Sequence, residues 1–140
     1  MRFGTFVFPV SQKPDNDYRI IHESLDEIQL YDKLGFDTAW LSEHHFDGAT
    51  AYVDPVVFAA SIAATTKKIR IGFAVVEMAL HHPVRLAAQT ALLDNLSNGR
   101  LLVGTGKGSA FNEYEYIGFG VPMSDAAESL QEAENLILEA

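Results

Sequence analysis

Glu43, His44 and His45 stand in a row behind the run Thr38-Ala39-Trp40-Leu41, so a carboxylate and two imidazoles meet beside the aromatic Phe46. An imidazole titrates near neutrality, and one placed at a reacting centre can take up or give back a proton there. The plainer alternative is one hydrogen-bonded loop histidine beside a solvent-exposed one. No metal centre is expected, because adjacent residues of an extended segment point to opposite sides and the sequence places no third ligand. A second cluster is Gly104-Thr105-Gly106-Lys107-Gly108-Ser109, whose three glycines allow backbone to approach a planar or phosphorylated ligand. It matches neither the dinucleotide fingerprint nor the phosphate loop, since Gly108 follows Lys107 where Ser or Thr is required, so a Rossmann nucleotide domain is rejected. The segment Phe111-Asn112-Glu113-Tyr114-Glu115-Tyr116 could pack over a flat ligand or fold back on the core, and His81-His82-Pro83 reads most simply as a turn and helix start.

These residues need elements to hold them. The chain passes four times from a short β-rich run to a longer helical one, the alternation that builds parallel sheets. Strands are expected at Arg2 to Phe8, Phe36 to Leu41, Ile69 to Val76 and Arg100 to Gly104. Between them, Ile21, Leu25, Ile28 and Tyr31 recur at helical spacing over Tyr18 to Leu34, stopped by Gly35. Asp54-Pro55 starts a second helix running to about Thr66, and Pro83 opens a third from Val84 to about Leu96, closed by Asn98-Gly99. A loop rich in glycine and aromatic residues leads to a last helix, Asp125 to Ala140, with Ala127, Leu130, Ala133 and Ile137 on one face. The spacing of roughly thirty residues is that of one βα unit. Right-handed crossovers bring all strand C-termini to one rim, where such folds bind ligands. No linker divides the chain, and residues 1–140 are expected to form a single unit.

Composition narrows the partners. A net charge of −9 and a pI near 4.8 disfavour nucleic acid and anionic membrane surfaces, which call for clustered Lys and Arg. No cysteine is present, so disulfides and thiolate metal sites are excluded and a reducing cytoplasm is the expected location. No apolar stretch has signal-peptide form or bilayer length. The 140 residues fall short of the roughly 250 of a complete eight-stranded α/β barrel.

Taken in order, Arg2-Phe3-Gly4, Gly35-Phe36-Asp37 before Trp40, Glu43-His44-His45-Phe46, Arg70-Ile71-Gly72, His82-Pro83 with Arg85, Leu93-Asp94 through Ser97-Asn98-Gly99-Arg100, Gly104-Thr105-Gly106-Lys107-Gly108 and Phe119-Gly120-Val121-Pro122 resemble the luciferase-like flavin monooxygenases over nearly the whole chain. The resemblance implies the amino-terminal half of a (β/α)₈ barrel, about four units, that uses reduced FMN and oxygen on a small organic substrate. The deazaflavin coenzyme F420 is the alternative cofactor, and a flavin reductase is an implied partner. His44 matches the family's catalytic histidine and Glu43 a flavin-site carboxylate. Ala74 and Val75 match a non-proline cis peptide held against the flavin ring, while Gly106 and Lys107 match the positions that line the ring and offer a cation to the phosphate.

One family feature is missing. An Arg that relatives carry near the start of the fourth helix, reaching the phosphate, is replaced by Ser124-Asp125-Ala126-Ala127-Glu128. Lys107 is the last basic residue, and seven acids from Glu113 to Glu139 follow it. A four-stranded parallel sheet also leaves open edges and an uncovered apolar face, so self-association is expected. The competing expectation is a product that folds and assembles without turnover.

Overall fold

The computed structural model describes residues 1–139. Four strands, β1 (Gly4–Val7), β2 (Thr38–Leu41), β3 (Arg70–Glu77) and β4 (Leu101–Gly106), form one sheet in the order β1-β2-β3-β4. Every pairing is parallel. Between them run α1 (Asp17–Leu34), α2 (Pro55–Thr65) and α3 (Pro83–Ser97), and after β4 come α4 (Glu113–Phe119) and α5 (Ala126–Glu139). This is the expected partial barrel of βα units.

The helix ends follow from local chemistry. Asp54 accepts the free N–H groups of Val56 and Val57 with Pro55 in the first turn of α2, relieving two of the donors that every helix start leaves unpaired. Gly35 closes α1 and Asn98 closes α3, both in the left-handed conformation that Gly and Asn tolerate best. Strand ends differ from expectation by a few residues, and β4 extends to Gly106 rather than stopping at Gly104. The larger difference lies in the segment expected to be loop, which holds α4. Ala140, included in the expected last helix, lies outside the described residues.

Period-two alternation sends Val7, Ala39, Leu41, Ile71 and Phe73 to the helical side, where they meet Ile28, Phe58, Ile62, Leu86 and Leu93 in one buried core. On the other face Trp40 lies across β1 to β3: a Cβ on Gly72 would come within 2.3 Å of its ring, and one on Gly4 within 3.1 Å. Phe6, 58% exposed, occupies the same face. In a closed barrel this face is the packed interior.

At the N-terminal end of the sheet the loops are tied by half-buried charge. Asp32 accepts the backbone N–H groups of Lys67, Lys68 and Ile69 at 3.0, 2.8 and 2.6 Å. Arg100 threads its guanidinium among carbonyls, donating to Ser97, Ile69, Ala63 and Thr66 oxygens and to the Thr66 hydroxyl. These ties fix where β3 and β4 begin, and hence where they end. Among the described residues no helix is long and apolar enough to cross a membrane.

Candidate functional site

At the C-terminal ends of β2, β3 and β4 a cleft of about 270 Å³ is lined by Glu43, His44, Ala74, Val75, Gly106 and Lys107, together with Ser42, Glu77, Gly108, Ser109 and Asn112. All six residues expected at the site therefore share one rim. Larger hollows occur beside α3 and β4 and at the opposite end of the sheet near Arg2 and Asp37, but neither gathers histidines or buried carboxylates.

The segment after β2 is locked by its own polar groups. The Tyr52 hydroxyl accepts the N–H of Ser42 at 2.9 Å and donates to its carbonyl oxygen at 2.7 Å. Asp47 accepts the N–H groups of Ala49 and Thr50 and the Thr50 hydroxyl. Within this frame Glu43 is the central tie. Its Oε1 accepts from Nε2 of His45 and Nε2 of His81, each at 2.7 Å, and its Oε2 accepts the backbone N–H of Glu77 at 2.7 Å. Burial alone would push this carboxyl up; the two imidazoles and the Glu77 N–H outweigh it and hold it at about 2. Burial likewise lowers His45 and His81, yet the Glu43 carboxylate wins in both and raises them.

The two adjacent histidines thus divide the tasks. His45 is the bound one: besides Glu43, its backbone N–H donates to Glu115 Oε1 at 2.6 Å. His44 is the more loosely held one, 31% exposed in its side chain and turned to the cleft, with its ring edge-on to Phe8 at 5.3 Å and Nδ1 hydrogen-bonded to Asn112 Nδ2 at 3.3 Å. Its ring is the imidazole that lines the cleft.

The floor of the cleft is set by β3 and β4. The Ala74–Val75 peptide is cis, and the β3–β4 register shifts between Phe73 and Val76. Ala74 is exposed to the cleft. Gly104 and Gly106 serve this packing: a Cβ on Gly104 would lie 2.4 Å from the Phe73 carbonyl oxygen, and one on Gly106 2.5 Å from Val75 Cγ2. The glycines thus let β4 approach β3, rather than only opening space for a ligand. Lys107 is exposed at the rim. The result is a floor of small side chains between an imidazole and an ammonium group, which fits a flat ring. For an anionic tail this span offers Lys107 at the cleft.

Four residues at the site were not singled out from the sequence: Glu77, His81, Asn112 and Glu115. The 111–116 segment does not lay its aromatic rings over the cleft. Phe111 is 91% exposed, while Glu115 and Tyr116 turn inward and are fully buried. Packing of α4 beneath the β2 loop is the cause, and no local pattern of the sequence marks Glu115 as an inward acid. His44, Glu77 and Glu115 bring one donor atom each to within 4.8 Å of one another.

Comparison with known proteins agrees with this fold. The family model described as luciferase-like monooxygenase matches residues 1–140. Limonene 1,2-monooxygenase of Rhodococcus erythropolis is 33% identical over 135 residues, 96% of this chain and 34% of that protein. The oxygenase component of the flavin-dependent trigonelline monooxygenase of Acinetobacter baylyi is 32% identical over 133 residues, 94% of this chain and 37% of that protein. Among solved structures, monooxygenase RslO1 from Streptomyces bottropensis superposes with a TM-score of 0.90 at 33% identity, covering 98% of this chain and 42% of that one. The oxygenating constituent of 3,6-diketocamphane monooxygenase from Pseudomonas putida, in complex with FMN, gives 0.88 at 19% identity, a likeness of fold, over 98% of this chain and 38% of that one. The chain spans between a third and about two-fifths of the length of these relatives. Matched by the family model over residues 1–140 and by the RslO1 monooxygenase fold at 33% identity, this chain belongs to the luciferase-like monooxygenase family.

Proposed function

We propose that this chain carries the catalytic rim of a flavin-dependent monooxygenase that uses reduced FMN and molecular oxygen on a small organic substrate. The observation that carries the reading is the convergence of Glu43, His44, Ala74, Val75, Gly106 and Lys107 on one cleft with a single imidazole free to exchange protons. Reduced flavin supplies the electrons that activate oxygen. The protein's own part is positioning and proton handling. Glu43 ties the loop after β2 to the segment after β3 through His45, His81 and the Glu77 N–H, so His44 is held over the floor of the cleft. There His44 acts as general acid and base, Ala74 and Val75 support the ring, and Lys107 meets the phosphate.

The same proposal includes further members. A flavin reductase supplies the reduced cofactor, a view supported by the relative named as an oxygenase component. The exposed Phe6 and Phe8 beside Trp40 support self-association through the open sheet face, and the protein works in the cytoplasm. Size-exclusion chromatography with light scattering tests the assembly: a monodisperse monomer that binds no hydrophobic dye refutes it.

Mixing the chain with excess FMN and desalting tests the central claim. Retained flavin absorbance, saturable binding and loss of turnover in His44→Ala with an unchanged melting curve are expected. A chain that retains neither FMN nor coenzyme F420 and shows no pH response across the histidine range refutes it, and leaves a folded, non-catalytic product as the reading. Retention of coenzyme F420 alone replaces the monooxygenase by a deazaflavin-dependent hydride-transfer enzyme.

A further inference from the structure

Three glutamates meet beneath the rim, and histidine side chains satisfy only one of them. Glu43 takes two imidazole N–H groups. Glu77 and Glu115 are 3% and 0% exposed, and Oε2 of each is buried with no donor within reach. Glu115 Oε1 accepts the backbone N–H of His45 and stands 3.8 Å from His44 Nδ1. The Glu77 carboxyl closes against Gly108, where a Cβ would come within 3.2 Å of it. Two carboxylates packed this closely away from water do not both keep their charge.

The surroundings do not relieve them. From the loop after β2, Glu43 adds a second negative charge beside Glu77 and His45 a positive one; Asp47 from the same loop faces His44. From α4 come Tyr114 and Tyr116, whose hydroxyls feel both acids, that of Tyr116 being buried without a partner. From the end of β4 comes Lys107, exposed across the cleft.

We propose that Glu77 and Glu115 share one proton, Glu77 donating it to Glu115, and that this pair is a positioning element behind His44, setting the negative charge that its Nδ1 edge faces. The inference rests on His44 being the acid–base residue. Burial first, then Glu115, then Glu43 push the Glu77 carboxyl up to about 8, so the pair carries a single negative charge at neutral pH. The shared proton supplies the partner that the two bare Oε2 atoms lack. When the Glu77 O–H bond breaks and its proton passes to water, the pair becomes doubly negative, and the added charge favours the protonated form of His44.

The test uses the chain without flavin, so its outcome is separate from cofactor binding. Infrared difference spectra should show a protonated-carboxyl C=O band at about pH 7 that is absent in Glu77→Gln and titrates away with a midpoint near 8. In proton NMR, the His44 ring signal, assigned by its loss in His44→Ala, should show a second alkaline inflection. Glu77→Gln keeps an N–H toward Glu115 but cannot ionise, so that inflection should vanish while the first remains; Glu115→Gln should also remove it. Far-UV circular dichroism of each variant confirms folding. Absence of the carboxyl band in the folded wild-type chain overturns the proposal, as does a His44 curve identical in wild type and Glu77→Gln. Saturable Mn²⁺ binding that replaces the band also overturns it, because a cation would then neutralise the pair. Failure to retain flavin with the band present would end the functional reading of the cleft and leave the pair intact.

Discussion

Glu43→Gln should cost this protein a large part of its stability at neutral pH while barely changing its shape. The carboxylate is held about 2.5 pH units below its ordinary 4.5, and at about 1.4 kcal/mol per unit that is roughly 3 kcal/mol of folded-state stabilisation. Glutamine can keep the neutral hydrogen bonds, its oxygen accepting the Glu77 N–H and its NH₂ donating to Nε2 of His45 and His81 once each imidazole is neutral with its proton on Nδ1. What is lost is the charge. That roughly 3 kcal/mol compares with the roughly 5–15 kcal/mol that holds a typical domain together, and corresponds to a melting temperature lower by about 10 °C.

The pH dependence tells this mechanism apart from ordinary packing damage. A depressed carboxyl contributes stability that is present above its unfolded value and lost as pH falls through the folded one. The difference between wild type and Glu43→Gln should therefore be full near pH 7 and shrink between about 4.5 and 2, as the wild-type residue takes up its proton. Urea unfolding followed by circular dichroism at several pH values measures both. Equal stabilities near neutrality, or a difference that persists unchanged into acid, would refute the assignment of Glu43 as the charged tie of the rim.

Other perturbations read other parts of the molecule. Glu77, raised to about 8, keeps a proton that the unfolded chain sheds above about 4.5, so its contribution falls by up to ~1.4 kcal/mol per pH unit across that window. His45 and His81, also raised, lose theirs above about 6.5. Melting temperature should peak on the acid side of neutrality and decline steadily to about pH 9, and a flat profile from pH 5 to 9 would contradict this. Arg100→Lys keeps the charge but cannot reproduce five hydrogen bonds to four residues; a loss of about 2 kcal/mol in urea unfolding is expected, and one below about 0.5 would show the network to be incidental. Gly104→Ala places a methyl group 2.4 Å from a backbone oxygen that cannot swing away, so the β3–β4 pairing should give way and cost about 2 kcal/mol or more, read by hydrogen exchange at β4 amides.

Much of the scaffold is legible in the sequence because its boundaries are written in residues with one dominant preference. Asp54-Pro55, Gly35 and Asn98-Gly99 each fix a helix end by local chemistry, and once the strands are placed, the handedness of crossovers delivers Glu43, His44, Ala74 and Gly106 to one rim. The rest depends on distant partners. Glu115, flanked by tyrosines, resembles a solvated acid; its burial follows from a backbone N–H seventy positions back in the chain. His81 looks like part of a turn because its partner, Glu43, lies on another strand end. Short α4 hides between a glycine run and Gly120, too brief for periodicity to emerge. Family resemblance alone pointed to the Ala74–Val75 peptide, since no local propensity marks a non-proline cis bond.

The consecutive histidines show how one structural constraint does two jobs. Neighbours in an extended segment project to opposite sides, which counts against His44 and His45 holding a common ion. The same geometry makes them effective as an anchor and a hand. Once the side chain of His45 is captured by Glu43 and its amide by Glu115, His44 has only the cleft to face. A group on a loop ordinarily loses precision to loop motion; here its neighbour carries most of the fixing bonds, so His44 is held mainly by the backbone, and its own ring has one hydrogen bond, between Nδ1 and the Asn112 amide. Replacing His45 should therefore disturb the position of His44 more than any substitution in the residues that touch its ring, because the restraint reaches it through the chain.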